Sequence, residues 1–99
     1  MFRVYVIKEQ GEYHPKLIVD ENNQDNTYGF MGLTEHKYNG HHLNIKLEKN
    51  PRRGDTREAY IRKELRKDKK NNFGGVLTNY ELSEKDEEKV DDYLNKKKK

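Results

Sequence analysis

Phe2-Arg3-Val4-Tyr5-Val6-Ile7 is the stretch on which the fold class turns, because β-branched and aromatic side chains dominate it. Phe2, Val4 and Val6 alternate with Arg3, Tyr5 and Ile7. That period of two predicts a strand partly buried on both faces. Gln10-Gly11-Glu12 then supplies a turn, and Lys16-Leu17-Ile18-Val19 reads as a second strand entered through Pro15. A proline at a strand's first position removes no interior ladder bond.

Moving outward, Asp20 to Asn26 is a polar run with no core-forming side chain and reads as a loop. Tyr28 to Leu33 follows as a strand carrying two glycines. His42 to Leu47 alternates, with Leu43, Ile45 and Leu47 on one side, which predicts a half-buried strand. Asn50 to Thr56 is turn-rich. Arg57 to Lys70 fits two templates: strong helix formers follow Thr56 as a cap, while Ala59-Tyr60-Ile61 suits a short strand. After a glycine turn at Gly74-Gly75, Ser83 opens the clearest helix, with Asp86 three residues on and Val90, Tyr93 and Leu94 as its apolar stripe.

The chain of 99 residues is the length of one domain, read here as 1–95 followed by a disordered basic tail over 96–99. Hydrophobic residues make up 30% and charged residues 39%, so only a thin core can form, and dimerisation would enlarge it. Seven tyrosines and three phenylalanines supply large buried areas suited to pleated strands. With no cysteine, a disulfide framework and thiolate metal sites are excluded. No apolar run reaches membrane-spanning length, and Met1 is not followed by a signal-type stretch. Both features favour a cytoplasmic protein without a membrane partner.

Net charge is a modest +3, but its placement is uneven. Lys46 to Lys70 holds eleven Lys or Arg against five Asp or Glu, whereas Glu81 to Asn95 holds seven acids against two lysines. A basic segment of this kind attracts phosphate backbones, although a solvated lysine-rich face has the same composition. The candidate RNA contacts are Lys46, Lys49, Arg52, Arg53, Arg57 and Arg62, with Tyr60 and Phe73 as possible stacking platforms. Among the histidines at 14, 36, 41 and 42, the spacing is poor for a metal site. His41 and His42 read as surface-loop residues. His36, two residues after Thr34 at a strand end, is a candidate acid or base. No Gly-rich phosphate loop or nucleophile elbow occurs.

Four segments in order carry a family resemblance. Tyr13-His14-Pro15-Lys16-Leu17-Ile18-Val19 resembles the Arg-Pro-x-Leu-Val strand near the start of PemK/MazF-like toxins, and Phe30-Met31-Gly32-Leu33-Thr34 is similar to that family's next strand. Ala59-Tyr60-Ile61 falls where the family has Ser-Tyr-Val. Tyr80-Glu81-Leu82-Ser83 with Asp86 is similar to its Gly-x-Leu-Ser-x-x-Asp entrance to the last helix. The resemblance implies a mainly β (α+β) fold, a small SH3-like β-barrel with a C-terminal helix. It further implies a homodimeric, sequence-specific endoribonuclease that cuts single-stranded RNA without a metal or cofactor and is neutralised by an antitoxin. In the family an arginine before the proline and a threonine ending the following strand serve the site. Here Thr34 stands at the threonine position, and His14 replaces the arginine. The competing expectations are a non-catalytic nucleic-acid-binding module of a mobile element and a small protein-interaction or inhibitor domain.

Overall fold

The computed structural model describes residues 2–97. Three antiparallel strands form its centre: β1 (Arg3–Ile7), β2 (Pro15–Asn22) and β3 (Thr27–Thr34). The predicted first strand is present, and alternation sends its side chains to two cores. Val4, aligned with Leu17, lies on one face with Met31, while Ile7, Ile18 and Phe30 belong to the cluster on the other. Gly11 (φ 69°) takes the left-handed conformation in the turn between β1 and β2.

The polar run after Val19 is shorter as a loop than its composition suggests. β2 continues to Asn22 past an irregularity between Ile18 and Asp20, and Asp20, Glu21 and Asn22 align with Gly29, Tyr28 and Thr27. Asn22 Oδ1 accepts the backbone N–H groups of Gln24 and Asp25, and Asn26 takes φ 57°, so Asx geometry closes a projecting hairpin.

The His42–Leu47 expectation fails in an informative way. The segment breaks into β5 (His42–Leu43), paired with β4 (Tyr38–Asn39), and β6 (Ile45–Lys46), paired with β7 (Tyr60–Ile61). Leu43 is 49% exposed, whereas Asn44 is buried, its amide donating to the His36 carbonyl at 2.9 Å. A polar side chain anchoring the hairpin therefore overrides the apolar alternation. Ile45 and Leu47 do enter the core.

Residues 57–70 form strands, not a helix: β7 (Tyr60–Ile61) and β8 (Arg66–Lys69) pair with successive parts of the same edge of β3. Ala59, Tyr60 and Ile61 are all buried because β7 lies between β6 and β3, which a one-sided helix could not achieve. A three-residue 3-10 turn, Lys70–Asn72, then leads to β9 (Phe73–Val76), which pairs with β1. The main sheet runs β6-β7-β3-β2-β1-β9, with β8 also on β3. Among the described residues no pairing joins β8 to β9, so the sheet is not closed into a barrel.

Helix α1 (Glu84–Lys97) buries Val90 against Val4, Leu17, Met31, Ile61 and Leu82. Ser83 Oγ accepts the Asp86 N–H at 3.2 Å, as the capping pattern predicts, and Glu84, Asp86 and Glu87 occupy the first turn where the helix dipole favours them. The helix includes Lys96 and Lys97; the remainder of the expected disordered tail lies outside the described residues. No helix among those residues is long and apolar enough to cross a membrane.

Candidate nucleic-acid groove

Four separated segments meet around an open groove of about 620 Å³: the turn entering β2, the end of β3, the loop over 50–57, and the stretch before α1. His14 and Thr34, two strands apart in the chain, both line it, as does His36. The hydroxyl of Thr34 accepts the His36 N–H at 3.1 Å, which turns the chain sharply out of β3 and keeps His36 at the groove wall. Among the described residues three or more His, Cys, Asp or Glu side chains do not gather as a metal would require.

The loop over 50–57 is tightly held. Asn50 Oδ1 accepts the Arg52 N–H, and Asn50 Nδ2 donates to the Arg57 carbonyl across the loop's mouth. Arg53 N–H donates to the Asn79 carbonyl and Glu81 N–H to the Pro51 carbonyl, joining the loop to the segment before α1. Arg52 and Tyr80 form an isolated bridge there. In this turn-rich segment, local side-chain acceptors and cross-loop backbone bonds replace the missing strand ladder.

The basic residues singled out in the sequence sort into four groups. Arg57 lines the groove but is engaged by two carboxylates, bidentate to Asp55 at 3.0 and 2.6 Å and paired with Glu35. Its hydrogen bonds to Asp55 raise its pKa, and Arg57 in turn holds the Asp55 carboxyl down at about 2. Arg52 and Arg62 line the groove without an ion pair among the described residues, Arg62 making one long bond to Asn39 Oδ1 at 3.4 Å. Lys49 and Arg53 face an adjoining hollow of about 430 Å³ that shares Arg52 with the groove. Lys46 lies outside both and pairs with Glu58 at 3.4 Å, an exposed pair of small energetic weight.

The aromatic assignments change. Tyr60 is only 4% exposed and its hydroxyl donates to Glu58 at 2.9 Å, so its ring offers no stacking face. Glu58 is held below its usual carboxylate range first by that bond. Phe73 is buried edge-on against Phe30 and Tyr28. The exposed aromatic at the groove is instead Tyr13, 89% exposed and adjacent to His14. The sequence signal for it was its place between Glu12 and His14 in a turn, where no strand alternation provides a partner. The chain matches no protein-family model, no curated protein and no solved structure.

Proposed function

We propose that the chain is an endoribonuclease of the PemK/MazF kind that cuts single-stranded RNA in the groove. The observation carrying this reading is the meeting of His14, Thr34 and His36 around one opening with the guanidinium groups of Arg52 and Arg62, which form no ion pair among the described residues. RNA cleavage needs a base to take the 2′-OH proton, cationic support for the phosphorane, and an acid to protonate the departing 5′-oxygen. His14 and His36 serve as the base and acid, since one imidazole ring nitrogen can accept a proton and the other can donate one. Thr34 and Arg52 contact the phosphate. The 2′-oxygen attacks phosphorus, the 5′-oxygen leaves with a proton, and a 2′,3′-cyclic phosphate remains, so the reaction needs no metal. The crossover from β8 through the 3-10 turn to β9 supports reading the open sheet as a variant of the SH3-like barrel. A cytoplasmic homodimer restrained by an antitoxin belongs to the same proposal.

Incubation with mixed single-stranded RNA in excess chelator tests it. The wild type is expected to cleave, and His14→Ala/His36→Ala to lose activity by about 100-fold or more. No cleavage by the wild type, or undiminished cleavage by the double variant, overturns the reading. The clamping of Arg57 by Asp55 and Glu35 favours a second reading, a module that binds RNA without cutting it. Salt-sensitive binding with no product formed would establish that alternative.

A further inference from the structure

A second cationic cluster lies beside the groove, on the face of the sheet opposite α1. Lys16 on β2 aligns with Gly32 on β3, and Arg66 on β8 aligns with Phe30, so strand alternation sends Lys16 and Arg66 to one face. Arg62 lies over Gly32: a Cβ built there would come within 3.2 Å of Arg62 Cδ. The glycine thus lets the arginine stem cross the strand next to Lys16. Lys16 is half-buried, and its pKa is lowered, first by that burial and then by Arg62 and Arg66. Glu64 is the acidic group that acts in the other direction. Among the described residues none of the three cations forms an ion pair with a carboxylate. Three like charges brought together in this way destabilise one another unless an anion joins them. Arg62 also lines the groove, so the cluster continues from it.

We propose that Lys16, Arg62 and Arg66 form a phosphate-binding track for the part of a single-stranded RNA that extends beyond the groove. This rests on the RNA reading above, but not on its catalytic step. The ligand is a phosphodiester backbone, contacted without base selection, so the track adds affinity and leaves cutting preference to the groove.

The probe is a fluorescently labelled 12-nucleotide RNA carrying 2′-O-methyl groups, which cannot be cleaved. Its affinity is measured by anisotropy across a salt series for the wild type and for Lys16→Gln/Arg66→Gln. Thermal unfolding first establishes that the variant folds. Removal of two phosphate contacts should weaken binding by about tenfold and flatten the dependence of log K on log salt by about 1.4, at roughly 0.7 per contact on a single strand. A labelled dinucleotide, which fills only the groove, should change by less than about twofold. If the wild type binds the 12-mer and the folded variant matches it in affinity and salt slope, the track is overturned. If the variant loses affinity while unmodified RNA is never cut, the track stands and the catalytic reading falls. A wild type that binds no RNA overturns both.

Discussion

Asp86 is fully buried, and its carboxylate accepts the backbone N–H groups of Glu48 at 2.8 Å and Lys49 at 3.4 Å. The capping pattern explains why an acid stands three residues after Ser83, but this carboxylate does more than favour the helix dipole. It fixes α1 to the segment following β6, and Lys89 reinforces the joint by donating to the Lys46 carbonyl at 2.9 Å. Replacing Asp86 with Ala leaves two backbone donors without their acceptor, and a loss of about 2–4 kcal/mol is expected in urea unfolding. Asp86→Asn retains one acceptor oxygen and should lose less; equal stability of all three proteins would refute the tether. Tyr13 carries the second expectation at this scale. A base stacked on its exposed ring would make Tyr13→Ala weaken single-stranded RNA binding by about 1–3 kcal/mol, with Tyr13→Phe near wild type. Anisotropy distinguishes the two, and equal weakening by both variants would point to the hydroxyl instead of the ring. Tyr60 and Tyr13 also show what local sequence conveys about a site. Charged neighbours made Tyr60 look exposed, yet pairing on both edges of β7 buries it, a fact set by strands distant in the chain.

Elements were most legible where their pattern was local. β1 follows from its alternation and α1 from its capping pattern and apolar stripe. β2 and β3 follow from their apolar runs, with β2 extending to Asn22 through residues that read as loop. The region over 57–70 fits both helix and strand in sequence; the strand alternative at Ala59-Tyr60-Ile61 holds because pairing to β3 overrides the helix formers. β9 supplies a paired test of such non-local fitting. A Cβ at Gly74 would come within 2.8 Å of Val6 Cγ2, whereas one at Gly75 meets nothing within 4 Å. Gly74→Ala should therefore destabilise by about 1–3 kcal/mol, and Gly75→Ala should be close to neutral. Thermal unfolding of the two variants separates this account from a general glycine effect, which would move both alike. The loop over 50–57 has its own pH signature. Asp55 is depressed from 3.8 to about 2 by Arg57, so its contribution is present above its ordinary pKa and is lost as pH falls from about 4 towards 2. Acid titration of the wild type against Asp55→Asn should show their stability difference shrinking only within that window. A difference that instead shrinks between pH 6 and 8 would assign the dependence to a histidine.

At the scale of the whole molecule, β1, β2 and β3 are shared by two cores on opposite faces. One holds Val4, Leu17, Met31 and Val90 of α1, and the other holds Ile18, Phe30 and Phe73 beside Tyr5 and Tyr28. The catalytic candidates depend on the same frame, because His14 precedes β2 and Thr34 ends β3. Their meeting was suggested by the family resemblance, but the cationic track was not, since it requires the pairing of β8 with β3 and the passage of Arg62 over Gly32. Neither face can lose its packing without exposing the strands that support the other. Unfolding should consequently be a single cooperative transition, as small domains usually show. Far-UV circular dichroism reports chiefly on α1, and tyrosine fluorescence reports in part on Tyr5 and Tyr28, whose rings are 5.4 Å apart. The two probes should give coincident urea midpoints in the wild type. They should also move together in Asp86→Ala, although the bonds of Asp86 to Glu48 and Lys49 join α1 to the segment after β6 and not to the Tyr5–Tyr28 core. An early loss of helix signal with the tyrosine signal unchanged would mean that α1 is a separable layer. The groove's walls would then be held by the strands alone.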